Sequence, residues 1–300
     1  MNILFYCENM NGRLEKGMHE ATMQRTGCEI HHSRDAYADH EAAMKHQRQP
    51  IGIHHHTFYE IFLLLSGDID YLVESRLYHM RPGDLLLISP SEMHQPVFVP
   101  AKGFYERIVL WVEPEMILQL SHGQEDLAAC FHHHNFIRLD QEQKEALQFY
   151  MDELAKVQKQ PHTYQLLQEQ SLLTMIMVLI NQASASSSHD PASYTEDYLS
   201  HFTDEAVRYI ASHLNETLSL KEISAACHVS PQHLLKVFRS DLGITLHQYI
   251  IQKRMLTARQ YIDNGMSPTQ AAEHCGFDNY TTFWREYRRE YGISPAKQKS

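Results

Sequence analysis

His54, His56 and Glu60 lie close together, and His94 follows the turn signal around Pro90. Side chains alternate along a regular strand, so residues 54, 56 and 60 are expected on one face, with His94 joining them from a later strand. Three imidazoles and a carboxylate converging inside a barrel make a first-row transition-metal site, suited to one divalent ion such as Zn, Fe, Mn or Ni. The same polar wall can instead hydrogen-bond the hydroxyls of a small metabolite with no metal present. The residues leave both readings open, and make His54, His56, Glu60 and His94 candidates for ligand binding and for metal binding alike. His55 falls on the opposite face and is expected in solvent. His132-His133-His134 lies outside the pattern and reads as a polar turn.

A second set of residues suits a different chemistry. Gln232, His233, Lys236 and Arg239 fall on the solvent side of one helical segment, and Tyr280, Thr281, Thr282, Arg285, Arg288 and Arg289 on that of another. Gln reads adenine, Arg reads guanine or binds phosphate, hydroxyls suit either, and the cations supply salt-dependent affinity for a polyanion.

These segments belong to a repeat. Ser219 to Cys227 aligns with Ser267 to Cys275 at an offset of 48, and Leu234, Phe238 and Gly243 align with Phe283, Tyr287 and Gly292 at 49. Each copy predicts a short helix, a tight turn, and a second helix capped by Ser230 or Asp278 and stopped by a glycine. That is the helix-turn-helix layout, whose second helix enters the major groove of DNA. Between the copies, Thr245 to Asn264 predicts one unbroken helix of roughly 30 Å. B-DNA turns once in roughly 34 Å, so such a rod suits two reading helices in successive grooves.

The rest of the chain supplies a carrier. Short β-branched and aromatic runs from Ile51 to Val112, broken by turn signals, predict an antiparallel β-barrel or sandwich. From Asp140 to Gln182 the period becomes helical, with one apolar stripe at Leu147, Met151 and Leu154 and another at Leu166, Leu173, Met177 and Ile180. These stripes suit packing on the chain's own barrel or a dimer interface. Ala183 to Ser193 is small and polar, a linker by composition, and everything after about Tyr194 reads as helical. The expected domains are 1–182, a linker at 183–200, and 201–300: an α+β multidomain chain with a β-barrel plus flanking helices, then an all-α double helix-turn-helix.

With 300 residues, 43% of them apolar and 21% charged, the chain reads as an ordinary globular protein with no bilayer-spanning run. No secretory signal is visible, and the five cysteines show no Cys-x-x-Cys pair; both features fit a reducing, cytoplasmic setting. The net charge of −11 would oppose nucleic-acid binding if it were spread evenly, but residues 218–300 carry 11 Lys and Arg against 7 Asp and Glu. A weakly basic unit is thus joined to an acidic one.

Residues 203–298 resemble the DNA-binding domain of the AraC/XylS family of bacterial regulators. The likeness runs through Ile223, Ala226, Val229-Ser230-Pro231, Leu234, Phe238 and Gly243, then Arg254 and Ala258. It ends with Gly276-Phe277, Phe283, Arg285, Tyr287, Gly292 and Pro295. Trp284 stands where a small residue is usual, and Gln298-Lys299 where Tyr-Arg is common. His54, His56, Glu60, Gly67, Pro82-Gly83-Asp84 and His94 similarly resemble the two cupin motifs, with Arg48, Ser89 and Ser91 as departures. The combined resemblance implies a transcriptional regulator, not an enzyme, with a cupin-like sensor for a small molecule such as a carbohydrate. It also implies double-stranded DNA as partner, RNA polymerase if the regulator activates, a homodimer, and no membrane. The alternative is a metal-dependent cupin enzyme, a dioxygenase or isomerase, with a helical appendage.

Overall fold

The computed structural model describes residues 27–36, 53–90, 92–97, 104–123, 125–132, 134–160, 162–186, 194–195 and 199–296. Arg48, Ser91, His133 and Gln298-Lys299 lie outside these, as does part of the expected linker. The chain divides into two units: residues 55–195, with β1, form one, and residues 196–300, with which residues 53 and 54 are grouped, form the other.

The first unit holds β1 (Cys28–Ala36), β2 (Tyr59–Ser66), β3 (Ile69–Val73), β4 (Arg76–Met80), β5 (Asp84–Ile88), β6 (His94–Val97), β7 (Phe104–Val112), β8 (Phe136–Arg138) and β9 (Tyr194–Thr195). With them come α1 (Pro114–Ser121), α2 (Gln141–Lys159) and α3 (Gln165–Ser186). The antiparallel strands form two open sheets, in the orders β1-β7-β2-β5-β8 and β6-β3-β4-β9, rather than the closed barrel expected. β2 is the central strand of the first sheet. Ile61, Phe62, Leu63 and Leu64 are all fully buried, so both faces of its sheet are covered. Phe62 and Leu64 meet Tyr71, Val73 and Tyr78 of the second sheet, while Ile61 and Leu63 pack with Leu147, Met151, Leu154, Leu173, Met177 and Ile180 of α2 and α3. Each such side chain contributes roughly 1.5–3 kcal/mol on burial, so the helices are integral to the unit. The two helical stripes are therefore core, except that Leu166 is exposed.

Two further expectations are corrected. Strand structure begins at Cys28, well before Ile51, and β1 shows little apolar alternation because after Ile30 the residues of both its faces are polar, His31 to Asp35. Gln158 of α2 accepts from the Ile30 amide and donates to the Cys28 carbonyl, satisfying part of this edge strand. At the other end α3 runs on to Ser186, and β9 pairs with β4 where the sequence reads as helical.

The second unit is helical: α4 (His201–Ser212), α5 (Leu220–Ala226), α6 (Pro231–Leu242), α7 (Leu246–Asp263), α8 (Pro268–His274) and α9 (Tyr280–Tyr291). The repeat is carried in its caps. Ser219 with Glu222 and Ser267 with Gln270 form equivalent capping boxes on α5 and α8. Gly243 and Gly292 end α6 and α9 in the left-handed conformation. Ser230 caps α6 as expected, but α9 is capped by Asn279, whose Oδ1 accepts from the amides of Thr281 and Thr282. The extra residue of the second turn moves the cap one place beyond Asp278.

Candidate nucleic-acid interface and buried histidine-carboxylate group

The connecting helix α7 is unbroken over 18 residues from its Thr245 cap, about 27 Å at the α-helical rise. Its two halves serve different copies of the repeat. Tyr249 meets Phe238 of α6, ring centroids 5.5 Å apart. Met255, Ala258 and Ile262 pack with Ala271, Ala272, Cys275, Phe277, Phe283 and Tyr287 of the second copy. Burying Leu234 and Phe238 on α6, and Phe283 and Tyr287 on α9, turns the intervening positions outward. Gln232, His233, Lys236 and Arg239 are exposed, as are Tyr280, Thr281, Arg285, Arg288 and Arg289, while Thr282 is half-buried. Leu235, not singled out in the sequence, is also exposed on α6. Apolar contact, as with a thymine methyl, is the chemistry that such a side chain can add to the polar side chains around it.

In the first unit His56, Glu60 and His94 come together, with ligand atoms all within 4.8 Å of one another. All three are buried, His94 completely. His54 is half-buried and is not one of this group. His55 is buried rather than in solvent. Both differences have one cause: β2 starts only at Tyr59, so strand alternation does not govern residues 54–58.

Each imidazole of the group is oriented by backbone. His56 Nδ1 lies 2.8 Å from the Phe58 carbonyl oxygen, and His94 Nδ1 lies 2.8 Å from that of Glu92. A carbonyl oxygen only accepts, so Nδ1 donates in both rings. Glu92 is itself held, its carboxylate accepting from the Ser89 amide and the Asn135 side chain. The two Nε2 atoms thus face Glu60 Oε2, at 3.0 Å from His56 and 4.0 Å from His94. Trp111 Nε1 donates to the same oxygen at 3.1 Å. An imidazole lone pair and a carboxylate oxygen at 3.0 Å repel unless a proton or a cation stands between them. The donor set therefore fits a divalent ion, with both histidines braced through their second nitrogen.

Sequence reasoning missed other polar residues of this wall. The register Glu29↔Trp111↔Glu60 across β1, β7 and β2 puts Glu29 and Glu60 on one face, flanking Trp111. Glu29 and Arg107 are both buried, and the Arg107 guanidinium lies 4.7 Å from the centroid of the Tyr105 ring. The signal available was an Arg within an apolar run, Arg107 before Ile108-Val109-Leu110. His132, at the tip of the short helical turn Ala129–His132, is exposed beside Asp126.

No described helix is long and apolar enough to cross a membrane. Residues 42–196 match the family of AraC-like ligand binding domains, and residues 223–299 match a helix-turn-helix domain family. Over 90 residues the chain is 37% identical to the probable transcriptional regulator LumQ of Photobacterium leiognathi, a stretch covering 30% of this chain and 36% of that protein. It is 28% identical over 92 residues to the regulatory protein PocR of Salmonella typhimurium, covering 30% of each. The chain thus spans about a third of the length of these two relatives. The arabinose operon regulatory protein of Escherichia coli is 25% identical over 243 residues, covering 80% of this chain and 79% of that one.

Proposed function

Because this chain belongs to the AraC-like family, with a ligand-binding part followed by a helix-turn-helix part, we propose that it is a transcriptional regulator. It binds double-stranded DNA by sequence, and a small molecule held between its two sheets sets that binding. The observation that carries the reading is the doubled helix-turn-helix on one unbroken helix, with Gln232, Lys236, Tyr280 and Arg285 turned outward. A rod of this length suits groove-to-groove spacing. Gln232, His233, Tyr280 and Thr281 supply base-edge chemistry, while Lys236, Arg239, Arg285 and Arg288 supply phosphate contacts.

The polar wall of Glu29, His56, Glu60, His94, Arg107 and Trp111 supports an oxygen-rich effector. A carbohydrate fits, since carboxylates and imidazoles take its hydroxyls and an indole takes its C–H face. If a divalent ion is resident, His56, Glu60 and His94 hold it, and it supplies Lewis acidity toward an effector oxygen. Linkage requires that the effector bind one state of the protein more tightly than the other.

We read the chain as non-enzymatic, since the relatives above are regulators, and as cytoplasmic. We also read it as a homodimer through its helical layer, where Leu118, Phe149, Tyr164 and Leu167 are exposed. RNA polymerase is the further partner if it activates. Mobility shift of promoter DNA, with and without candidate sugars, tests the central reading; no sequence-specific binding at moderate salt overturns it.

A further inference from the structure

The cations of the two DNA-facing helices differ in their surroundings. On α6, Lys236 and Arg239 are exposed and form no ion pair among the described residues. On α9, Glu286 lies on the buried side with Phe283 and Tyr287, only 8% exposed. Its carboxylate meets two guanidiniums that otherwise face solvent. Arg285 Nε is 3.5 Å from Oε1, and Arg289 Nη2 pairs with Oε2. Arg288 instead lies over the Trp284 ring, 5.4 Å from its centroid.

Ion pairs whose cations are this exposed hold by about 0–1 kcal/mol each, so a phosphate can displace them. Displacement is not free, however, because it leaves a nearly buried carboxylate without its counter-charges beside a polyanion. A phosphate placed well enough to make two good contacts overcomes this, whereas a phosphate met at random does not.

We propose that Glu286 is a specificity-determining residue of the DNA interface, occupying Arg285 and Arg289 until phosphates of a cognate site take them over. The first copy then supplies most of the affinity for arbitrary DNA, and the second contributes on cognate sequence. The inference rests on the DNA-binding reading above.

The test uses the full chain and two duplexes of equal length, one enriched from random sequence by the wild-type protein and one unselected. Affinity is read as a function of salt. Glu286→Gln removes the charge and keeps the shape. It is expected to tighten the unselected duplex roughly threefold for each freed arginine and to steepen its log Kd–log salt slope by roughly one to two. The selected duplex changes less, so discrimination falls. Glu286→Asp keeps wild-type behaviour, and adding Arg289→Ala to Glu286→Gln removes most of the gain.

Arg285→Ala with Arg289→Ala provides an independent arm that leaves the buried carboxylate in place. It is expected to weaken the selected duplex and leave the unselected one nearly unchanged. Glu286→Gln with an unchanged slope, or equal losses on both duplexes in the double-alanine variant, overturns the role of Glu286 alone. Failure of the wild type to enrich any sequence overturns the regulator reading and this inference with it.

Discussion

Arg254 Nη1 donates to the carbonyl oxygen of Gly276 at 2.6 Å, and the absent side chain of that glycine is what lets the guanidinium lie there. A Cβ at 276 would come within 2.7 Å of Arg254 Nη2 and 3.0 Å of the Leu214 carbonyl oxygen. The same guanidinium donates from Nε to Leu214 at 3.2 Å and from Nη2 to Glu216 at 2.6 Å. One planar group on α7 thus fastens the chain leaving α4 and the turn entering α9. Burial lowers the Arg254 pKa, but from so high a value that the group stays charged at neutral pH.

Arg254→Lys is expected to destabilise the helical unit by about 2–4 kcal/mol, because one ammonium cannot reach three carbonyls in a planar fan. Urea unfolding of the chain measures this, and the loss should fall in the transition of the helix-turn-helix unit.

The two turns respond oppositely to glycine exchange. His228 and Gly276 occupy equivalent positions, both left-handed, with φ of 53° and 73°. Gly276→Ala is expected to cost more than the ~1–2 kcal/mol of left-handed backbone, owing to the Arg254 clash. His228→Gly relieves that backbone cost and should raise the melting temperature. Thermal unfolding of both variants checks the sign.

Lys236→Ala and Arg239→Ala should each weaken DNA binding on every sequence and reduce the log–log salt slope by about 0.9 per lost phosphate contact. Gln232→Ala should instead cost about 1–3 kcal/mol at one base position and leave the slope unchanged. Anisotropy titrations across salt separate the two outcomes.

Glu60→Gln and His56→Ala should leave DNA affinity without effector intact and abolish the effector or metal response. Trp111 donates to Glu60, so its fluorescence should change when a divalent ion such as Co2+ is added to the wild type and not to Glu60→Gln. An equal change in both places the ion elsewhere.

Burial pushes the Cys130 and Cys275 thiols up to about 12 from 9.0. The folded chain resists forming thiolates that the unfolded chain forms readily above that lower value. Their contribution is therefore intact below pH 9 and lost as pH climbs toward 12. Chemical denaturation across this range should show falling stability, blunted by Cys→Ser substitution.

The helix-turn-helix unit was legible residue by residue. Its elements are short-range: a serine caps the amides two or three residues on, a glycine ends its own helix, and a 3.6-residue period says which side chains face inward. Ser219, Ser230, Gly243 and Gly292 therefore stand where the sequence puts them, and Lys236 and Arg239 face solvent because Leu234 and Phe238 cannot. Asn279 replaced Asp278 as a cap because the second helix follows the offset of 49, which carries Ser230 onto residue 279.

The buried histidine-carboxylate group was legible only in part, because it is assembled across strands distant in sequence. His56 and Glu60 were found by spacing, but alternation placed His54 and His55 wrongly, since residues 55–58 between the bridge at His54 and the start of β2 are not paired as a strand. Glu29 and Arg107 face the same wall through register, a property of paired strands that neither strand encodes alone. Whether the sheet closes or stays open was likewise undecided by strand patterns. The composition of α9 displayed its arginines, but their capture by Glu286 depended on which turn of that helix the core left half-covered. Local hydrogen bonding fixed the helices of the repeat, whereas long-range packing chose which polar groups share the interior.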